Sequence, residues 1–541
     1  MDIGHDLDTF ESRRSTVYAP NGVVATSQPL AASAGLAALR NGGNAFDAAI
    51  SAAAALNVVE PTSTGIGGDA FALYRTADGT VGGIRSCGHA PADATIETVR
   101  TRLAVETNTE TDSVTMPERG PHTVTVPGTA RGWELMVERF GRLSLSTVLE
   151  PAIEYAFGGY PVSETIASYW TGAEELFEDA NARKAYLFDG QAPKPGEVVR
   201  LEALGRTLQT IAEEGADAVY EGEIADAIVD AIQSRGGLLS KSDLASFSPE
   251  LIDPISTSYG GVDVFQLPPS NQGTIALEAL NIASAIDAGD AAYETPDRIH
   301  LFAEATKRAF EDGHQYIADP EYEEIPPLNS PSYARQRARS IRPKEATDVS
   351  FGIPDSNAED ADTVLVCAAD VAGNVVSFIN SRFMGFGSGI VAGDTGIALQ
   401  NRGASFSLDP ADPNRLEPGK RPFHTLMPSV VKFARDDWAA FGVVGGYMQP
   451  QGQVQILSNL IDYGMDLQPA LDAPRWRYRV DGSLGLEART SAPLQSKLVR
   501  WGHDVRVEIP AMFGGAQIAR VSDDVLSGAS EPRTDGMAIG Y

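Results

Sequence analysis

Cysteine is almost missing from this 541-residue chain: there are two, Cys87 and Cys367, too few for the disulfide framework of a small secreted domain. Histidine is also scarce, seven in all and dispersed, so no Cys/His cluster with zinc spacing forms and no metal is expected. Nucleotide signatures are lacking too. Gly65-Ile66-Gly67-Gly68 has no following Lys-Ser/Thr and reads as a turn rather than a phosphate loop. No dinucleotide fingerprint and no G-x-S-x-G elbow occur, so no cofactor is expected and no serine-hydrolase elbow is available. Apolar runs stay short of the ~18 residues a membrane helix needs; the most apolar stretch, Ala45 to Val59, is alanine-rich and fits a buried helix. The opening MDIGHDLDTFESRR has no apolar core of a secretory signal, which makes a cytoplasmic location the expectation.

Lysine is the next scarcity. Only eight of the 42 basic residues are lysines, against 73 acidic residues, and the formal net charge is -31. That balance repels nucleic acid and anionic membranes, so neither is an expected partner. The acidic residues are spread along the chain without a long block. Spread charge is a solubility device, and the reading preferred is a salt-adapted surface and a halophilic host; binding of cations or basic substrates is the competing one.

What is present is a globular composition, 43% hydrophobic and 21% charged, with length enough for a large core. The pattern predicts a strand over Val23 to Thr26, a helix from Pro29 to Arg40 stopped by Gly42-Gly43, a second helix from Asn44 to Leu56, and a strand from Ala70 to Tyr74. Residues 130–350 read as mostly helical, with amphipathic stretches at Leu201 to Glu214 and Arg298 to Asp312. Residues 343–362, PKEATDVSFGIPDSNAEDAD, are polar, acidic and aperiodic, the clearest linker in the chain. At Thr363 the pattern changes to β: Thr363 to Ala369 and Val375 to Ser381 flank turn residues and predict a hairpin starting at a threonine. Strands on both sides of a helical middle imply one α+β layered fold rather than two independent domains.

Several stretches, in order, resemble the gamma-glutamyltranspeptidase family. They are NGGNAFDAAISAAAALNVVEPTSTGIGGDAFALY (Asn41 to Tyr74), TVPGTARGW (Thr125 to Trp133), EATKRAFEDGHQYIADP (Glu304 to Pro320), GFGSGIVAGDTGI (Gly385 to Ile397), LDAPRW (Leu471 to Trp476) and GASEPRTDGMAIGY (Gly528 to Tyr541). The resemblance implies a four-layer αββα N-terminal-nucleophile (Ntn) hydrolase sandwich, made as a precursor that cuts itself between Asp362 and Thr363. A large fragment, 1–362, and a small catalytic fragment, 363–541, would then remain together as a heterodimer of the chain's own pieces. Threonine suits that chemistry because its freed α-amino group, of ordinary pKa ~7.7–8.0, can act as base for its own hydroxyl. By itself Thr363 reads as an ordinary strand threonine, and the resemblance is what favours the catalytic role; the switch from linker to strand at this residue is independent support.

The resemblance also assigns Ser381 to the hydroxyl that hydrogen-bonds the nucleophile, a solvent-facing hairpin serine being the alternative. Gly445 and Gly446 match the pair whose N–H groups form the oxyanion hole, where glycine leaves donors unobstructed; a plain turn is the alternative. The glutamyl grip departs from the family pattern. The Arg that holds the substrate α-carboxylate is replaced by Cys87, with Arg85 or His89 as nearby substitutes. The Asp for the α-amino group is Ser405, the paired serines are His424-Thr425, and the Asn after the hydroxyl residue is Phe383. The stretches LQNRGASFS, RPFHTLMPS and GGYMQPQGQVQ resemble the acylase-like branch instead. Asn401, Arg402, His424, Thr425 and Arg382 then face either the acyl group or only other parts of the protein. The expected activity is hydrolysis, more than transfer, of gamma-glutamyl or similar dicarboxylic-acyl amides in small molecules. The alternatives are an acylase or small-amide hydrolase without gamma-glutamyl activity, and an unprocessed binding protein.

Overall fold

The computed structural model describes residue 12 and residues 14–349 and 361–541. Of the predicted acidic linker, residues 350–360 lie outside the described residues, as do 1–11 and 13 of the polar lead-in. Two seven-stranded sheets dominate the structure. The first runs Met537–Gly540, Gly22–Thr26, Ala361–Asp370, Val375–Met384, Asp69–Arg75, Val81–Ser86, Glu250–Ile252. The second runs Val17–Ala19, Val525–Ser530, Gly515–Ser522, Asp437–Val444, Ser429–Ala434, Val262–Gln266, Ile255–Tyr259. Neighbours in both are antiparallel.

Period-two alternation explains the layering. Leu365, Cys367 and Ile379 of the first sheet meet Val430, Ala440 and Ala519 of the second in a core between the sheets. Their neighbours Val364, Val366 and Phe378 point outward onto the helices Pro29–Arg40 and Ala45–Val59. On the far side Val431, Phe441 and Ile518 pack on the helices Gly273–Ala285, Pro296–Tyr316 and Met448–Ile461. The result is helix, sheet, sheet, helix, the expected α+β sandwich.

The helix Ala45–Val59 shows how sequence places this layer. Asn44 caps its first turn, Asp47 bonds back to the Asn44 N–H at 2.8 Å, and all fifteen residues are buried. Its alanines permit close contact with both the sheet and the preceding helix.

Two expectations change. Besides a short two-stranded pair, Tyr160–Pro161 with Val198–Val199, the helical middle contains the strands Glu250–Ile252, Ile255–Tyr259 and Val262–Gln266, which close one edge of each large sheet. Their short alternating runs are flanked by Pro254 and a Gly260-Gly261 turn, a hairpin signal overlooked among long amphipathic helices. The predicted hairpin also begins earlier, at Ala361, and its second strand extends to Met384. Thr363 is therefore inside a strand rather than at its start. Both sheets mix strands from before and after residue 362, so neither side of that bond forms a separate domain.

Candidate active site

Thr363 lies opposite a register break. Asp362 pairs with Phe383 and Val364 with Asn380, so the Val375–Met384 strand carries an extra residue against Thr363. Such bulges bend a strand and re-aim side chains. Here Phe383 takes φ +83°, a left-handed conformation strained for a bulky side chain. Its N–H bonds the Ser381 hydroxyl at 2.8 Å, and that hydroxyl donates to the Asp362 carbonyl at 2.6 Å. Ser381 is fully buried, not a solvent-facing serine. In the continuous chain it bonds the carbonyl preceding Thr363 rather than the threonine hydroxyl. Gly68 makes room for this arrangement: a Cβ there would stand 2.3 Å from the Ser381 carbonyl.

The Thr363 hydroxyl is buried and has no hydrogen-bond partner among the described residues. It opens on a cavity of about 340 Å³ whose wall includes Ser27, Glu60, Asp362, Gly445 and Gln517. Gly445 and Gly446 have φ of +109° and +53° and precede the helix Met448–Ile461, to which their carbonyls are joined by the Met448 and Gln449 N–H groups. Their own N–H groups donate to no described group. Free donors at a helix N-terminus, on a turn that favours glycine, suit a developing oxyanion. Gln272 bridges this turn to the next part of the site, donating to the Gly446 and Thr425 carbonyls at 3.0 and 2.5 Å.

Two strands away from Thr363, roughly 10 Å at sheet spacing, Asp69 pairs in register with Ser381 and faces a buried polar cluster. Asp69 accepts from Gln400 at 3.0 Å and from His424 Nε2 at 3.1 Å. His424 Nδ1 accepts the Leu426 N–H at 3.2 Å, which leaves the ring proton on Nε2. Burial, then the nearby Arg402 and Arg85, hold His424 well below its ordinary pKa, so this is a neutral imidazole hydrogen bond rather than an ion pair. Burial pushes the Asp69 carboxyl up to about 7, against the pull of Arg402.

Arg402 is fully buried in this cluster. Its Nη1 bonds Thr425 at 3.0 Å and its guanidinium covers the Phe383 ring at 4.1 Å, while Nε and Nη2 have no partner among the described residues. Burial lowers its pKa to about 10, with Asp69 opposing, and it stays cationic at neutral pH. Two unmet donors on a cationic fork fit a carboxylate. Asn401 lies alongside, tied to the Met384 N–H at 3.1 Å and to the Glu118 carbonyl at 2.7 Å. Arg382 is buried against Gly65 and Phe386, with Nη2 on the Pro61 carbonyl.

Arg85 reaches this group only through its charge on His424, and its bonds, like the surroundings of His89, lie elsewhere. Arg85 bonds the Pro269 carbonyl at 2.6 Å and pairs with Glu250. His89 is half-buried beside the Arg421 network of Asp319, Glu250 and Glu321. Asp69 and Glu60 are the site residues that sequence reading passed over. Each is an acid within an otherwise apolar, glycine-rich stretch, which is the signal that could have found them. His300, Glu304 and His503 also converge with metal-ligand spacing, the first two at i, i+4. Their donors are committed: His300 bonds His503 and the Arg342 carbonyl, each at 2.8 Å, and Glu304 pairs with Lys307 and Arg308.

A sandwich of two antiparallel sheets between helices, with a threonine inside a central strand facing free backbone donors, defines an Ntn-hydrolase architecture. Residues 31–541 match the family model described as Gamma-glutamyltranspeptidase. The glutathione hydrolase-like YwrD proenzyme of Bacillus subtilis is 36% identical over 97% of this chain and 99% of its own length. The oxamate amidohydrolase proenzyme of Klebsiella pneumoniae is 34% identical over 97% of this chain and 100% of its own. The crystal structure of cephalosporin acylase from Bacillus halodurans superposes with a TM-score of 0.88 at 41% identity, covering 98% of each chain. The chain belongs to the gamma-glutamyltranspeptidase family and is an enzyme acting on amide bonds. Among its described residues no helix is long and apolar enough to cross a membrane.

Proposed function

We propose that this chain matures by cutting itself before Thr363 and then hydrolyses amides whose acyl part carries a second carboxylate, gamma-glutamyl or a simple dicarboxylic acyl such as glutaryl. The observation that carries the reading is the pairing of an unpartnered, buried Thr363 hydroxyl with an adjacent carbonyl clamped by Ser381. In maturation the hydroxyl oxygen adds to the Asp362 carbonyl, the C–N bond breaks, and the amide nitrogen leaves as the threonine amine. Water then hydrolyses the ester, giving a carboxylate at Asp362 and restoring the hydroxyl. In turnover the freed amine takes the hydroxyl proton as the oxygen attacks the substrate carbonyl. The Gly445 and Gly446 N–H groups hold the oxyanion, the amine leaves, and water releases the acid.

Arg402, with Thr425 beneath it and His424 and Asp69 beside it, receives the distal carboxylate. Thr363 and Asp69 stand two strands apart, roughly 10 Å at sheet spacing, so the acyl chain and the Arg402 side chain would together bridge that distance. Asn401 positions the segment through its side-chain amide, bonded to the Met384 N–H and the Glu118 carbonyl. Hydrolysis is favoured over transfer because water needs no acceptor site. The names of the relatives above range from glutathione hydrolase-like to oxamate amidohydrolase and acylase, which supports an amide substrate while leaving the acyl group to the Arg402 argument.

Intact-mass analysis of the purified protein in high salt is the test. Chains ending at Asp362 and starting at Thr363 are expected, with Thr363→Ala leaving one uncut chain. Release from glutaryl and gamma-glutamyl anilides, with and without glycylglycine, then ranks the acyl groups. An uncut, inactive wild type would favour the binding-protein alternative and sink this reading.

A further inference from the structure

Glu60 stands out as an acid where helix physics disfavours one. It caps the C-terminus of the fifteen-residue helix Ala45–Val59, the negative end of the helix dipole, and it is 5% exposed. Nothing in the folding of the helix calls for a carboxylate there. Its side chain accepts a 2.6 Å bond from Ser27, the residue at which the Gly22–Thr26 strand has just ended, and it lines the same cavity as Thr363.

The direction of the Asp362-Thr363 peptide connects the two residues. A trans peptide points its carbonyl and its N–H to opposite sides. The Asp362 carbonyl points to Ser381, so the Thr363 N–H points to the other side, that of the Gly22–Thr26 strand. The Leu365 carbonyl, two residues on, agrees: it accepts from Thr26 Oγ1 at 2.8 Å, and alternate residues of a strand share a direction. Beyond Thr26 that strand offers no further partner in the ladder, and the cavity begins.

From this geometry we infer that Glu60 is the positioning residue for the α-amino group of Thr363, accepting its N–H bond and serving as its counter-ion once the chain is cut. This rests on the cleavage proposed above. Scission turns the Thr363 amide nitrogen into an ammonium on the side where Glu60 stands, and turnover needs that nitrogen to lose and regain one proton per cycle. The groups facing Glu60 are the Ser27 and Ser63 hydroxyls, with Tyr169, Asp362, Asp535 and Arg477 around the cavity. Burial pushes the Glu60 carboxyl up to about 7, so in the uncut chain it is partly protonated near neutrality. The ammonium released beside it draws that proton off and in return has its own pKa raised, the two titrating as a coupled pair.

The experiment compares processed wild type, Glu60→Gln and Glu60→Asp by kcat against pH on a glutaryl or gamma-glutamyl anilide, after mass analysis has located the cut. In Glu60→Gln the acid limb should move down by about one pH unit or more, because the amine loses its counter-ion. Its kcat should fall while KM stays within about twofold, and Glu60→Asp should restore the wild-type limb. A coincident acid limb in wild type and Glu60→Gln overturns the proposal while leaving cleavage standing. Should Glu60→Gln not mature, the wild-type amine is titrated directly by the pH dependence of its reaction with acetic anhydride. A pKa above the ordinary ~7.7–8.0 supports the assignment and one within or below that range overturns it. An uncut wild-type chain removes the reading beneath the proposal, and the proposal with it.

Discussion

The Ser381 hydroxyl donates to the carbonyl oxygen of Asp362 at 2.6 Å, while the free N–H groups of Gly445 and Gly446 wait at another wall of the site. On the proposed mechanism, the carbonyl attacked in maturation and the carbonyl attacked in turnover are then served by different donors. Removing one oxyanion donor typically costs about 10²–10³-fold in rate. Ser381→Ala should therefore slow appearance of the two fragments by about that factor, measured as a time course on denaturing gels, and Ser381→Thr should mature normally. Maturation of the alanine variant at the wild-type rate would reduce the hydroxyl to a structural bond.

Arg402 is buried with two donors unmet among the described residues, an arrangement that costs folding stability and that the proposed distal carboxylate would relieve. Arg402→Met should melt at or above the wild-type temperature by calorimetry. The same variant should lose on the order of 2 kcal/mol of transition-state binding for a glutaryl anilide, roughly thirtyfold in kcat/KM. A neutral acyl anilide should be unaffected. Equal loss on both substrates would place the distal carboxylate elsewhere.

The raised Glu60 carboxyl carries a pH signature in the uncut chain. Its folded pKa is about 7 against an ordinary 4.5, so its stabilising contribution is complete below about 4.5 and lost as pH rises through about 7. Glutamine has no such dependence. In the Thr363→Ala background, Glu60→Gln should gain on its parent by on the order of 3 kcal/mol between pH 4.5 and 8. Denaturant melts at the two ends of that range read the difference; parallel stability curves would contradict it.

The net charge of -31 sets the salt response. Screening shortens from ~10 Å at 0.1 M to ~3 Å at 1 M salt, so self-repulsion should fade and the melting temperature should climb across that range. A flat or falling midpoint would favour specific cation or basic-substrate binding as the use of the acidic surface.

Much of the framework is legible locally. Pro29 to Arg40 is a helix as its periodicity and the following glycines require, and Asn44 to Asp47 write out the next helix's capping box in four residues. The hairpin around Thr363 follows from β-prone runs flanking Asp370 to Asn374. Less legible were the strands within 250–266, because short half-buried strands have weak periodicity beside long helices.

The site divides along the same line. The sequence by itself determined which residue types were available: a threonine near the start of a strand, a Gly445-Gly446 pair, and Cys87, Ser405 and His424-Thr425 in place of the family's glutamyl-gripping residues. Tertiary structure alone decided their partners. It put Ser381 on the Asp362 carbonyl, set Asp69 against His424, left Arg402 with open donors, and brought Glu60 to the cavity wall beside Thr363. The reason is physical: propensity and periodicity act over one or two turns of chain. Burial, hydrogen-bond direction and the field at a titrating group are set by atoms hundreds of residues away, which only the packed sheets bring together.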